Sequence, residues 1–279
     1  MLDNFLPNLP ISTWVSDFVS WLTATFNFIF DPLESVLSFI MNLIIEVLEF
    51  IPPVIFIAIV MILAAVFMKR KITAAVLVGI GMLFILDQEL WENMISTLTL
   101  VLVSSFISVL IGIPLGILMS RSKTFESIMK PVLDFMQTMP AFVYLIPAVA
   151  FFGIGMVPGV FASFIFSAPP TIRLTNLGIR QIDNELIEAS DSFGTTAMQK
   201  LVKVQLPLAR PSIMAGVNQT IMLALSMVVI ASMIGAPGLG RDVLSSLQRA
   251  DVGTGFVAGL GIVILAIIID RFTQTKKSL

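Results

Sequence analysis

Residues 188–207 read Glu188-Ala189-Ser190, three residues, Gly194, nine residues, then Val204-Gln205-Leu206-Pro207. The stretch lies in the longest polar interval of an otherwise oily chain, and the fold follows from how it is read. Asp183 or Asn184 can cap a short helix through Glu188, because a side-chain oxygen there accepts from an otherwise unpaired backbone N–H. Gly194 falls where a left-handed residue closes a helix. Thr196 and Gln199 have the spacing of a capping box and restart the chain as a second helix. Pro207 is expected to end that second helix, since a residue before proline avoids the α region. The stretch is thus expected to be a helix–turn–helix outside the bilayer.

The rest of the chain says which bilayer proteins are possible. Its 279 residues are 57% hydrophobic and 12% charged, with a mean hydropathy of +1.00. That composition belongs to a polytopic membrane protein. There is no cysteine and no histidine. Disulfides, thiolate nucleophiles, the commonest general base and the commonest metal ligands are therefore absent, and neither a catalytic nor a metal site is expected. No Gly-Lys pair occurs, so there is no phosphate-binding loop of the Walker type. No carboxylate is expected near the middle of the central spans, which argues against an ion-coupled carrier.

Working outward, residues 11–30 are rich in aromatic side chains (Trp14, Phe18, Trp21, Phe26, Phe28, Phe30), as suits a membrane interface. Residues 33–51 carry one apolar helical stripe, from Leu33 to Ile51, with Glu34, Asn42, Glu46 and Glu49 mostly off it. Pro52-Pro53 break that helix. Seven spans are then expected: from Pro53 to Met68, 72–86, 93–120, 138–154, 158–172, one from Pro211 to about Ile234, and 254–270. Gly112-Ile113-Pro114-Leu115-Gly116 should bend the third and let a neighbour approach closely. Gly112/Gly116, Gly155/Gly159 and Gly255/Gly259 have small-xxx-small spacing and read as helix-packing faces.

Charge sets the orientation. No Lys or Arg precedes Lys69, whereas Asp3, Asp17, Asp31, Glu34, Glu46 and Glu49 do; without a basic start, no cleavable signal peptide is expected. Basic residues cluster at 69–71, 121–130, 173–210 and 271–277, in alternate loops, as cytoplasmic loops require. The C-terminus is expected inside, the acidic N-terminus outside, and the 188–207 stretch inside.

The pattern at 188–207 resembles the EAA loop of bacterial ABC importer permeases, with Ser190 standing for an Ala of that motif and Val204 for its Ile. Asp134 to Pro140, Ser167 to Asn176 and Gly235 to Gly240 resemble the glycine betaine/proline (quaternary-amine) branch of those permeases. The resemblance covers roughly residues 90–270. It implies an all-α polytopic membrane protein, a type I ABC importer transmembrane domain in a bacterial cytoplasmic membrane. It also implies a second copy of the permease, two ATPase subunits that carry ATP and Mg, and an extracytoplasmic solute-binding protein. This chain itself would hold no cofactor, and no nucleic-acid partner is implied. The solute would be glycine betaine or a related compatible solute, taken up in osmoprotection. The alternatives are an importer of the same superfamily for an amino acid or sulfonate, and a secondary transporter or channel.

On this reading residues 1–51 form an extracytoplasmic amphipathic segment and 52–90 two accessory spans. Residues 91–271 form the permease core with a coupling loop at 173–210, and 272–279 a cytoplasmic tail. Glu188, Ala189, Ser190, Gly194, Leu206 and Pro207 carry the coupling to the ATPase. Gln137, Met139, Phe142 and Tyr144 are candidates to line the solute path, since a quaternary ammonium suits aromatic faces. Arg241 and Arg249 are candidates to dock the binding protein. Because the chain has no native thiol, the orientation can be read from one introduced cysteine. Asn4→Cys should react with an impermeant thiol reagent on intact cells; labelling only after lysis would contradict an outside N-terminus.

Overall fold

The computed structural model describes residues 10–67 and 71–273. Asp3, Asn4, Lys69, Arg70, Lys276 and Lys277, on which part of the orientation argument rests, lie outside the described residues. Among the described residues, all regular structure is helical.

Helix α1 runs unbroken from Ile11 to Phe50, so the aromatic segment and the amphipathic segment form one helix of about 60 Å. Pro32 lies inside it. The proline takes an N–H from the ladder but sits at an exposed position, where water or headgroups can serve the freed carbonyl. The second half of α1 packs against later parts of the chain, and α1 as a whole touches three later helices. Phe30 stacks on Phe151 at 4.7 Å and meets Phe152 edge-on at 5.7 Å. Glu34, Ser38, Met41 and Asn42 share a cleft with Phe152 and Gly155 to Pro158. Pro52-Pro53 end α1, with Ile51 extended, and α2 (Pro53–Phe67) begins at once. It forms a hairpin with α3 (Lys71–Asp87), where Gly79 lies so close to Met61 that a Cβ would sit 2.7 Å from its sulfur.

The core comprises α4 (Trp91–Arg121), α5 (Lys123–Thr138), a short 3₁₀ turn (Ala141–Tyr144), α6 (Leu145–Phe152) and α7 (Met156–Arg180). Beyond them lie α8 (Asn184–Ser192), α9 (Ala197–Lys200), a π-turn (Leu201–Gln205), α10 (Leu206–Ser232), α11 (Leu239–Gln248) and α12 (Val252–Thr273). Four helical stretches among the described residues are long and apolar enough to cross a membrane: α1, α4, the continuous run Ala197–Ser232, and α12. A fifth is the pair α5 plus residues 141–152, bent by 109°. The straight span expected at 138–154 is therefore a bend at Met139-Pro140, where proline removes a donor and forces extended backbone on the residue before it. α2 and α3 are shorter apolar helices, and α7 is long but less apolar.

α7 lies between α4 and α10. Small residues allow this. A Cβ on Gly112 would sit 2.9 Å from Thr171 Cγ2, and one on Gly116 would sit 2.5 Å from Thr175 Cβ and 2.7 Å from the Ile172 carbonyl. On the other side Gly216 of α10 rests on the backbone of Thr171 and Pro170, and Gly178 rests on Ser212. With no hydrophobic force between helices in lipid, such close approach supplies dispersion contact. A ladder of hydroxyls fills the seam. Ser108 Oγ lies 2.7 Å from the Ser104 carbonyl and 3.0 Å from Ser167 Oγ. Thr220 donates to the Ser167 carbonyl at 2.8 Å and pairs with Thr171 Oγ1 at 2.8 Å. Each such interhelical bond contributes about 0.6 kcal/mol in a membrane.

Pro169-Pro170 free the carbonyls of residues 165 and 166 without ending the helix. The segment is held from both sides, with hydroxyls of α4 and α10 bonding the neighbouring carbonyls of Phe164 and Ser167. α7 therefore continues to Arg180, and α10 begins at Leu206, inside the limits 173–210 expected for the polar loop. Of the other small pairs, Gly159 packs on Ala231 and Ala236, and Gly255 on Ser246. Gly155 and Gly259 meet nothing within 4 Å.

The seam can be tested with one added methyl group. Gly116→Ala should lower the detergent Tm by an amount corresponding to about 1–3 kcal/mol of overpacking. Gly259→Ala, with open space at its Cβ, should leave Tm unchanged or raise it. Equal Tm values for the two variants would contradict this packing.

Candidate coupling site

Between Arg180 and α10 the chain turns back on itself outside the core. Asp183 caps α8 by accepting from the Glu185 N–H at 3.1 Å. α8 closes at Gly194, whose φ is +71°, a conformation glycine adopts without steric cost. Its N–H bonds the Asp191 carbonyl at 2.9 Å, and Thr195 returns both N–H and Oγ1 to the Ser190 carbonyl. Thr196 and Gln199 form the reciprocal capping box at 3.3 and 2.9 Å that starts α9. A Lys200–Asp191 ion pair ties the two short helices together. Arg121, at the end of α4, donates to the Ala197 carbonyl at 3.3 Å.

Pro207 does not end the second helix, contrary to the expectation from its ring. It occupies the first turn of α10, and the helix runs on through the π-turn at Leu201–Gln205. In a regular α-helix the ring would strike the carbonyl of Lys203, four residues back. The wider π-turn lies at that point and absorbs the mismatch.

The platform under this turn is polar and tightly tied. Arg180, the last residue of α7, donates to Glu126 at 2.7 Å, to the Asn176 side chain at 3.0 Å and to the Met119 carbonyl at 2.8 Å. Lys130 completes the cluster on Glu126 at 3.0 Å. The ends of α4, α5 and α7 are thereby joined just before α8 begins.

Glu188, Ala189, Gly194 and Pro207 are exposed, while Ser190 is buried with its Oγ donating to the Ile187 carbonyl at 2.7 Å. Leu206 packs inward against Ile179, Ala209 and Ile213. Sequence reasoning missed four apolar side chains on the same turn: Leu186, Phe193, Met198 and Val202 are all exposed, Phe193 to 88%. An exposed apolar group in a polar turn is the signal that could have found them.

The other candidates divide. Gln137 and Phe142 are exposed, and Met139 is half-buried beside Tyr144. Tyr144 is buried, donates its hydroxyl to the Met136 carbonyl and meets Phe166 edge-on at 6.0 Å; it braces the bend. At the opposite end of the core, the 235–240 loop is stitched to α4. Thr97 Oγ1 accepts from Leu239 N–H at 2.9 Å, and Asn93 donates to Asp242 at 2.7 Å. Burial pushes the Asp242 carboxyl up, and the Asn93 hydrogen bond opposes that shift. Arg241 and Arg249 stand exposed at either end of α11. Among the described residues no cluster of three or more His, Cys, Asp or Glu could hold a metal.

Comparison with known proteins gives a consistent picture. Residues 108–274 match the model of the family described as binding-protein-dependent transport system inner membrane component. The glycine betaine/carnitine transport permease protein GbuB of Listeria monocytogenes is 55% identical over 272 residues, 96% of each chain. The glycine betaine transport system permease protein OpuAB of Bacillus subtilis is 50% identical over 272 residues, 98% of this chain and 96% of that one. The glycine betaine/proline betaine transport system permease protein ProW of Escherichia coli is 47% identical over 275 residues, 98% of this chain and 77% of that one. Among solved structures, a chain of the MetNI methionine ABC transporter in an inward-facing conformation superposes with a TM-score of 0.57 at 23% identity. It covers 64% of this chain and 92% of that chain. That likeness is one of fold.

Gly194 offers a local test. Nothing lies within 4 Å of its Cβ position, so any penalty there comes from φ alone. Gly194→Val should cost about 1–3 kcal/mol of local strain and speed tryptic cleavage at the neighbouring Lys200 and Lys203. Gly194→Asn, which tolerates positive φ, should be cleaved at close to the wild-type rate. Equal rates for Val and Asn would contradict the turn geometry.

Proposed function

Since the chain belongs to the inner membrane components of binding-protein-dependent transport systems, we propose that it is the permease subunit of an ATP-driven importer of glycine betaine or a closely related quaternary-amine solute. The observation that carries the substrate class is the near full-length identity to permeases named for glycine betaine. The chain is a translocation component and not an enzyme; ATP and Mg belong to partner ATPase subunits. Two copies of the permease enclose the path, and two ATPases sit beneath them. The C-terminus and the α8–α9 turn face the cytoplasm, and a solute-binding protein docks on the opposite face.

The division of labour follows from the geometry. Leu186, Phe193, Met198 and Val202 present an apolar knob that a groove on an ATPase can bury. Movement of that knob reaches the core through Arg180, because its cluster on Glu126, Asn176 and Met119 joins α7 to α4 and α5. A permease that alternates between outward- and inward-open states needs only this differential binding to be driven. Co-expression with its ATPase and binding protein, followed by reconstitution, should give betaine uptake that depends on ATP. Gly194→Val should insert in the membrane yet lose the ATPase or the uptake; an ATPase-free chain that still accumulates betaine would contradict the reading.

The outer loop yields a separate expectation. Arg241 and Arg249 alternate with Asp242 and Asp251 around α11, and rim charges of this kind act mainly on association rate. Charge reversal at both arginines should weaken stimulation by the binding protein more at low salt than at high salt. Stimulation unchanged at every salt concentration would exclude them from docking.

A further inference from the structure

α7 carries a charge where the sequence suggested only a loop. Arg173 lies seven residues before the end of α7, about 10 Å along the helix from that end. Its guanidinium meets Asp134 of α5 at 2.5 Å. The pair is not enclosed: the side chains are 38% and 65% exposed. Arg173 Nε, by contrast, is buried and has no hydrogen-bond partner among the described residues. Arg173 belongs to a helix because α7 passes through Pro169-Pro170 without breaking.

An ionisable pair at this depth is costly against lipid and belongs on a water-filled cavity or path. The arrangement of α5 agrees. Its apolar face, Phe125, Met129, Leu133 and Met136, packs on α4 and α7. Lys130, Asp134 and Gln137 form an exposed polar stripe rising from the Glu126 cluster to the bend at Met139-Pro140.

We infer that Arg173 and Asp134 form a solute-relay site for a zwitterion, an inference that rests on the betaine reading above. A betaine has a carboxylate one methylene away from a quaternary nitrogen. The carboxylate takes the exposed terminal nitrogens of the guanidinium in a two-pronged, charge-assisted hydrogen bond. The quaternary nitrogen takes Asp134 as its counter-ion. One internal ion pair is exchanged for two pairs with the solute, and the net charge of the site stays zero throughout. A solute with a single charge would break the internal pair and leave one of its partners without a counter-ion, so it gains less than a zwitterion does. The site thus selects for zwitterions at a second point after the binding protein.

The test uses the reconstituted complex of permease, ATPase and binding protein, and reads betaine transported per ATP hydrolysed. A variant that merely folds or assembles poorly loses both quantities together. R173Q and D134N should each lower the ratio at least tenfold, while the half-saturating betaine concentration stays where the binding protein sets it. R173K, which keeps the charge but loses the fork, should also lower the ratio. The exchange R173D/D134R should recover wild-type Tm without recovering the ratio. A ratio within twofold of wild type in R173Q, D134N or R173K, or its recovery by the exchange, would overturn the site and leave a structural strut. A wild-type complex that imports a monovalent cation such as choline, and no betaine, would instead overturn the function on which the site rests.

Discussion

The structure depends on how closely α7 can approach α4 and α10. Lipid supplies no hydrophobic force to bring helices together, so they associate by contact and by hydrogen bonds between them. Gly112 and Gly116 on one side, and Gly178 and Gly216 on the seam with α10, remove the side chains that would hold the backbones apart. Ser108, Ser167, Thr171 and Thr220 then reach partners on the neighbouring helix that a wider spacing would leave out of range. The same hydroxyls bond the carbonyls of Phe164 and Ser167, next to those that Pro169-Pro170 free. The hydroxyls of this seam therefore act as cement between helices.

A second consequence is mechanical. α7 is continuous from the Gly155 loop to Arg180, and Arg180 is anchored to α4 and α5. The α8–α9 turn hangs from that anchor and from Arg121, and returns to the core through a π-turn at Pro207. A force applied at Phe193 is thus delivered to three helices together. Asp134 and Arg173 lie on two of those helices, α5 and α7.

Much of this was legible in the sequence, and the exceptions have physical causes. The capping residues Asp183, Thr196 and Gln199 and the left-handed Gly194 could be read because they act locally, within a few residues. The proline positions misled. Pro207 and Pro169-Pro170 predict breaks on local grounds, but a π-turn accommodates the first and close packing of α4 and α10 on α7 surrounds the second, and neither is visible in a window of sequence. The bend at Met139-Pro140 was hidden for the opposite reason: an apolar run reads the same whether its axis turns or not. Tyr144 looked like a path residue because its chemistry suits a cation, whereas its hydroxyl and ring are both engaged internally. The Arg173–Asp134 pair joins residues 39 positions apart, a distance that no local pattern spans.

The central claim is that the exposed apolar turn around Phe193 is the surface through which ATP hydrolysis acts on the membrane core. The chain has no native cysteine, so Phe193→Cys provides a single reactive thiol at the tip of the turn. Treating membranes that contain the assembled complex with a short thiol-reactive photocrosslinker is the most direct measurement. The account predicts one major adduct, between this chain and the ATPase subunit, and arrested uptake once it forms. Adducts to the solute-binding protein, or labelling of the introduced thiol by an impermeant reagent on intact cells, would place the turn on the wrong face and contradict the account.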